Sequence, residues 1–552
     1  MRRTLVAACA VLLPLAAAAQ VSARAPQQPR VWTHADTLRG SYNTPDRNWW
    51  DVTFYDLHVA ISPADSSIRG YNAITYRVLR PAAEMQIDLM TPLIVDSMIQ
   101  DHRALRFRRD SNAFFVSLLA PQHIGRHYSI TVYYHGHPRV AVNPPWQGGF
   151  SWTHDSLGRP WIATTDQGMG ASVWWPNKDT QADEPDSQRI ALTVPDPLID
   201  VSNGRLRSTK HHPDGTTTYE WFDANPINNY AIAVAAGHYA HYSETYNGIK
   251  GKLTMDYWPL DYDTAAAHRQ WVQARSMMQC FEHWFGPYPW YEDGYKLIEV
   301  PNTGMEHQSA VSYGNWFQNG YRKRGSGLGL QWDFIIVHES AHEWFGNNIT
   351  AKDQADMWLH EGFANYAEAL YTECQFGKEP AAEWEMGKRR GVANREPLIA
   401  PYGVNAEPPG DQYNKGGLLL HTIRQVVDND EKWRAVLTGL NRTFWHQTVT
   451  TYQVENYISK ASGIDLGKVF DQYLRTTMIP EFDYHLSGDT LAFRWSNVVR
   501  GFGMPIKVTL DWPEFTMIHP TEAWQRLPLH VANPADFKVD PNFYVDVKEV
   551  EP

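Results

Sequence analysis

Cysteine is scarce in this chain, with 3 in 552 residues. Cys9 falls inside the apolar N-terminal run, so only Cys280 and Cys374 belong to the remainder, and a disulfide scaffold is excluded. Neither has a His or Cys neighbour at ligand spacing, which sets aside a thiolate zinc site. One bridge between them and two buried free thiols are both open readings. Basic runs are absent too. Lys and Arg number 49 against 61 Asp and Glu, a net charge of −12, which gives no reason to expect nucleic acid as a partner. No internal repeat is evident, and beyond the N-terminus no run is apolar enough to cross a membrane.

The N-terminus itself reads as a signal peptide over residues 1–19. Arg2 and Arg3 form its charged end, Leu5 to Ala16 its apolar run, and Ala17-Ala18-Ala19 its small-residue cleavage site. Too little apolar chain precedes Cys9 for a lipidation site. The expectation is a soluble protein, periplasmic or secreted, of unknown oligomeric state. The 23 Trp and 28 Tyr are expected to fill large cores and sheet faces. Trp platforms for sugars are the alternative, and nothing else points to carbohydrate.

A chain of this length exceeds one hydrophobic core. Residues 20–48, rich in Pro and polar residues at the start, read as a linker or strap. From Trp50 the pattern alternates, with Leu57, Val59 and Ile61 on one strand face, and an all-β domain is expected over 49–245. Helical periodicity then takes over across 246–482. Amphipathic helices are expected at Trp271–Phe285 and Trp332–Phe345, and further ones at Glu361–Cys374, Gly416–Val427 and Leu466–Arg475. Tyr295–Val300 reads as a strand, and Gly320–Gly329 as a glycine-rich loop. Alternation returns at Ile506, Val508 and Leu510, so 483–552 is read as a small β-domain. The fold class is multidomain α+β.

The chemistry starts at His338-Glu339-Ser340-Ala341-His342. One helical turn separates the two histidines, so both imidazoles share a face and can hold one zinc ion. Glu339 lies about 100° around the helix, close enough to act on a water there without being a ligand. Gly346-Asn347 is read as the helix's C-terminal cap. A second helical segment, Trp358-Leu359-His360-Glu361-Gly362-Phe363-Ala364, places a carboxylate 19 residues after His342. Three protein ligands with an open fourth position make a catalytic arrangement.

These segments resemble the aminopeptidase N and leukotriene hydrolase family of gluzincin zinc peptidases, and the resemblance covers nearly the whole chain after residue 19. That family follows its two histidines with Trp-Phe-Gly-Asn, here Trp344 to Asn347. It carries Trp-Leu-Asn-Glu-Gly-Phe-Ala around the third ligand, here with His360 in place of Asn. The resemblance implies a thermolysin-like, mainly helical catalytic domain and a zinc-dependent aminopeptidase acting on peptides with a free N-terminus. His338, His342 and Glu361 would be the zinc ligands and Glu339 the general base. Thr303-Gly304-Met305-Glu306-His307 is similar to the family's Gly-x-Met-Glu-Asn. By resemblance Glu306 binds the substrate's α-ammonium, and the backbone at Gly304 and Met305 lies along the peptide. Gln412-Tyr413-Asn414-Lys415-Gly416 is similar to Tyr-x-Lys-Gly, which makes Tyr413 the oxyanion donor. Counting back from Pro176 puts Gln167 at the family's substrate-pocket position. The residues after Tyr473 read as β, so the helical cap of large members is expected to be missing, and no basic residue is assigned to the substrate's far carboxylate. Two other readings stand beside this one: an epoxide hydrolase, as one branch of the family is, and a non-catalytic peptide-binding protein. The latter should have lost a ligand or Glu339, and both are present.

Overall fold

The computed structural model describes residues 31–40, 44–322, 329 and 331–551. The segment expected to be a signal peptide, the first part of the expected strap and most of the Gly320–Gly329 loop lie outside the described residues.

Alternating residues build the first half. An eight-stranded sheet runs, edge to edge, Arg205–His211, Thr216–Asp223, Ser187–Pro195, Trp50–Ser62, Ser67–Val78, His127–Gly136, Ile94–Gln100 and Arg103–Ala104. Leu57, Val59 and Ile61 do point inward, each at most 3% exposed. A four-stranded sheet covers it, in the order Ile199–Val201, Ala235–Gly237, Pro160–Thr165 and Gly149–His154. Trp49, Trp50, Trp174 and Trp175 fill the core between them. The strand Pro160–Thr165 matters for function because Gln167 follows directly from its end.

The hairpin Tyr242–Gly248 and Gly251–Trp258 already belongs to the next sheet. That sheet has five strands and continues through Tyr295–Glu299 and Val311–Tyr313 to Gly304–Met305 at its edge. Ten helices occur among the described residues: α1 His34–Gly40, α2 Thr264–Gln270, α3 Gln273–Phe285, α4 Phe334–Ala341, α5 Trp358–Phe376, α6 Lys378–Gly387, α7 Asp411–Val427, α8 Asp430–Thr443, α9 Thr451–Ser462 and α10 Gly467–Arg475. A four-stranded sheet (Gln525–Pro528, Thr490–Ser496, Glu481–Ser487, Asp546–Glu549) and the hairpin Ile506–Asp511/Glu514–Ile518 follow. They share one core with the helices, in which Phe482 and Trp495 join Leu418 and Tyr473.

Several expectations are corrected. α4 is shorter than Trp332–Phe345 and is not amphipathic. Ile335 to Ala341 are all buried, so the helix runs through the core. Its last hydrogen bonds tighten to three-residue spacing, Glu343 N–H to Ser340 O and Trp344 N–H to Ala341 O, and Gly346 at φ 132° turns the chain away. His342 is therefore the cap residue, still one turn from His338. α5 starts earlier than expected and α7 begins at Asp411, which places Tyr413 on a helix and not in a loop. α6, α8 and α9 were not anticipated, and part of the strap, α1, is helical.

Cys280 on α3 and Cys374 on α5 form a disulfide, with Cα atoms 6.1 Å apart. No helix among the described residues is long and apolar enough to cross a membrane.

Candidate metal and peptide site

α4 enters the site with its start fixed. The Asp333 carboxylate accepts from Ile335 N–H at 3.1 Å, and Tyr313 Oη and Gln270 Nε2 donate to it at 2.6 and 2.7 Å. One turn further along, the His338 and His342 rings lie 5.0 Å apart. Their Nε2 atoms converge on Glu361 Oε2, 3.5 Å from each. Tetrahedral bonds of about 2.1 Å have edges of about 3.4 Å, so this spacing suits a zinc ion. The other ring nitrogens are occupied. His338 Nδ1 meets Glu368 Oε1 at 2.9 Å, and His342 Nδ1–H donates to Phe345 O at 3.0 Å, which leaves Nε2 as the lone-pair nitrogen of His342. His342 Nε2 and Glu361 Oε2 are buried without a hydrogen-bond partner. A cation bound by both satisfies these orphaned atoms, so the residues fit the metal. Glu306, Glu339 and His342 form a second candidate trio. The first is preferred because it supplies two imidazoles, and because the orphaned atoms belong to it.

Electrostatics agree. Burial opposes charge on the imidazoles, yet Glu361 and Glu368 hold His338 well above its ordinary value, and Glu306 and Glu361 hold His342 at about 9. The cluster favours positive charge at its centre. Burial pushes the Glu306 carboxyl up to about 7 and also raises Glu339.

Glu361 and Tyr413 meet because α5 and α7 touch backbone to backbone. A Cβ on Gly416 would stand 2.8 Å from Gly362 Cα, and one on Gly362 would stand 3.1 Å from Gly416 Cα. Only glycines permit this approach. It lays the Tyr413 ring 5.9 Å from His338. Burial first, then the Glu361 and Glu306 carboxylates, keep the Tyr413 phenol well above its ordinary value, so it stays a proton donor.

Among the described residues, the edge strand Gly304–Met305 pairs only with Val311–Tyr313, on one side. A side chain at Gly304 would crowd Glu339 and Ile335, since a Cβ would come within 2.8 Å of Glu339 Oε1 and 2.9 Å of Ile335 Cγ2. Glu306 follows the strand. Asn347 Nδ2 donates to its carbonyl at 3.0 Å, and Tyr230 Oη to its Oε1 at 3.1 Å. Gln167 Nε2 donates to Glu306 Oε1 and, at 3.1 Å, to Glu361 Oε1. All nine residues singled out in the sequence thus come together. A cavity of ≈ 370 Å³ joins Gln167, Gly304, Met305, Glu306, His338, Glu339, His342, Glu361 and Tyr413, with Pro145, Trp146, Thr303, Tyr321, Phe334 and Ile335 completing its wall.

The two departures from the family motif have local reasons. His307 Nδ1 pairs with Ser312 Oγ at 3.0 Å inside the hairpin. His360 Nε2 accepts from Ala351 N–H at 2.8 Å, so its hydrogen sits on Nδ1, which faces Tyr230 Oη at 3.4 Å. Burial pushes both imidazoles down to about 3, and both stay neutral.

Residues 272–473 match the Peptidase family M1 domain. This stretch of the chain is similar to an M1 peptidase domain. Aminopeptidase B of Mus musculus is 24% identical over 360 residues, 60% of this chain and 52% of that protein. Aminopeptidase N of Lactobacillus helveticus is 26% identical over 217 residues, 36% of this chain and 22% of that one. The chain thus spans about half or less of these curated relatives. A crystal structure of an M1 zinc metallopeptidase from Deinococcus radiodurans superposes with a TM-score of 0.69 at 20% identity, covering 81% of this chain and 98% of that one; the likeness is one of fold.

Within this site, sequence reasoning missed Glu368, Lys388, Tyr230 and Asn347 as supporting residues. Lys388 Nζ stands 3.0 Å from Glu368 Oε2 and 2.7 Å from Glu385 Oε2, which locks the carboxylate behind His338. Glu368 lies seven residues after Glu361, on the same helix face, so a signal for it existed.

Proposed function

We propose that this chain is a zinc-dependent aminopeptidase that removes the first residue from peptides with a free N-terminus. One observation carries the reading: the buried Glu306 carboxylate sits at the end of an open strand edge, in the same cavity as His338, His342, Glu361 and Glu339. A metal trio with a neighbouring carboxylate supports peptide hydrolysis, and a second fixed negative charge supports reading of the chain end.

In this mechanism the peptide lies along Gly304–Met305, and its ammonium pairs with Glu306. His338, His342 and Glu361 would hold one zinc ion, whose Lewis acidity polarises the scissile carbonyl and strengthens water as a nucleophile. Glu339 removes a proton from the attacking water and delivers it to the departing amine. Tyr413 Oη donates to the carbonyl oxygen as negative charge grows there. Gln167 and Tyr230 hold Glu306 in place.

The compartment belongs to the same proposal. The N-terminal sequence reads as a signal for export, and the Cys280–Cys374 bridge suits an oxidising environment.

A panel of aminoacyl anilides, beside a peptide and its N-acetyl form, tests the activity with and without a chelator. The expected result is metal-dependent cleavage of the anilides and the free peptide only. Efficient cleavage of the acetylated peptide would replace the exopeptidase reading with an endopeptidase one.

A further inference from the structure

The segment that reads as a strap does more than cover the surface. α1 is docked at both of its ends. Asn405 N–H donates to Asp36 O at 2.9 Å, Gln86 Nε2 to Leu38 O at 3.0 Å, and Arg47 Nη1 to Arg39 O at 2.5 Å. Arg39 then reaches inward, its side chain 11% exposed. Its Nε donates to Asp179 Oδ2 at 2.7 Å, and its Nη1 donates to Gly168 O at 3.2 Å and to Asn405 Oδ1. Asp179 and Gly168 belong to the β-domain, whereas Asn405 precedes α7. One guanidinium therefore joins three chain segments, a task that suits its planar fork.

What Arg39 holds is next to the substrate. Gly168 directly follows Gln167, whose amide contacts Glu306 and Glu361. The turn is compact, with Gly170 N–H donating to Asp166 O at 2.6 Å, so fixing the Gly168 carbonyl fixes the Gln167 backbone. Gln354 Nε2 donates to the same carbonyl from the catalytic side at 2.8 Å. Gly170 is shaped around the contact: a Cβ there would meet Arg39 Nη2 at 2.0 Å.

We propose that Arg39 is a positioning residue of the substrate site, through which the strap sets Gln167 against the amine anchor Glu306. The inference rests on the aminopeptidase reading above, because it needs a bound ammonium at Glu306. Arg39 touches no reacting atom, so its loss acts mainly on substrate binding. A lysine keeps the charge without the fork and so restores only part of the function.

The test is steady-state kinetics on the best aminoacyl anilide with wild type, Arg39→Ala, Arg39→Lys and Asn405→Ala, each at full zinc content. Arg39→Ala is expected to raise KM about tenfold while kcat stays within about threefold. Arg39→Lys should fall between it and wild type, and Asn405→Ala should shift KM in the same direction by less. A folded Arg39→Ala with wild-type KM, even one with a lowered melting temperature, overturns the proposal. If that variant does not fold, wild-type KM in both Arg39→Lys and Asn405→Ala overturns it. Wild-type protein inactive on every anilide would refute the aminopeptidase reading, whereas an active wild type with unaltered variants refutes only the role of the strap.

Discussion

Adding one methyl group at Gly416 should disable the site without touching any residue that reacts. The new Cβ would stand 2.8 Å from Gly362 Cα, with Gly362 N at 3.6 Å. Carbon atoms prefer a separation of about 3.5–4.0 Å, so α5 and α7 must part by about 1 Å. Neither side can yield by rotating a side chain, since the contact is backbone on backbone. Overpacking of this kind costs about 1–3 kcal/mol of stability. The larger effect should be on turnover. Tyr413 is one turn before Gly416 on α7, whereas His338, His342 and Glu361 sit on or beside α4 and α5. The displacement moves the phenol and leaves the metal trio intact, and an error of about 1 Å in a catalytic group costs on the order of a hundredfold. Gly416→Ala is therefore expected to retain zinc, to lower kcat by roughly ten- to a hundredfold, and to resemble Tyr413→Phe in kinetics. Gly362→Ala, with its milder 3.1 Å contact, should lose less. The assay is kcat and KM on an aminoacyl anilide, with metal content measured on the same samples. Wild-type kcat in a folded Gly416→Ala would show that the glycine contact does not set the position of Tyr413. Loss of zinc in that variant would show that the helix pair holds the metal trio, and the separation of roles argued here would be wrong.

Glu339→Gln should keep its zinc and lose about a hundred- to ten-thousandfold in kcat; a variant that loses metal would make Glu339 a ligand. Glu368→Gln removes the carboxylate behind His338 and should weaken zinc about ten- to a hundredfold, read by competition with a chelator, with unchanged affinity counting against the chain Lys388–Glu368–His338. Glu306→Gln should erase most of the preference for a free over an acetylated N-terminus, and a preference that survives would place the amine anchor elsewhere. The bridge between Cys280 and Cys374 closes a sequence separation of 94, worth about 4–5 kcal/mol in the chain-entropy limit. Cys374→Ser should therefore lower the unfolding midpoint, and identical melting of wild type with and without reductant would argue against a bridge in solution.

The metal trio was legible because its information is local. Two histidines one turn apart, and a carboxylate on the next helix, are visible as spacing. So was the β-helix-β succession, which follows a change of period from two to 3.6. The sequence does carry start signals for two helices beyond those expected: Asn429 caps α8, and Thr450 with Gln453 forms a capping box before α9. α4 was misjudged for a physical reason, since a helix buried on all sides has no polar face to set its period. Other features could not be read at all. The contact of Gly362 with Gly416 and the reach of Arg39 to Asn405 are pairings between distant segments, and neither glycine nor arginine announces its partner. His307 and His360 looked like defects in a motif, and only their partners Ser312 and Ala351 show why histidine serves there.

The origin of each group suggests a division of labour within the site. The metal trio, Glu339 and Tyr413 come from α4, α5 and α7, which share one core. The two donors to Glu306 Oε1, Gln167 and Tyr230, come from the β-domain, which has its own. A carboxylate as buried as Glu306 resists ionisation unless donors or a cation meet it. On the aminopeptidase reading, its readiness to bind an ammonium therefore depends on how the β-domain is seated, and of the metal trio only Glu361 shares a β-domain donor, Gln167, with it. A variant at the contact between the two cores should accordingly change which chain ends are accepted before it changes the rate at which a bound peptide is cut. Arg39, Gln354 and Asn405 stand at that contact, and Asn347 ties the Glu306 carbonyl to the turn after α4. On the aminopeptidase reading, the distance between Glu306 and the metal trio is thus set by joints between the two cores, which meet where Ile298, Val300 and Ala310, in or beside the five-stranded sheet, pack into the β-domain core, so small adjustments there would tune chain-end recognition more than the chemistry.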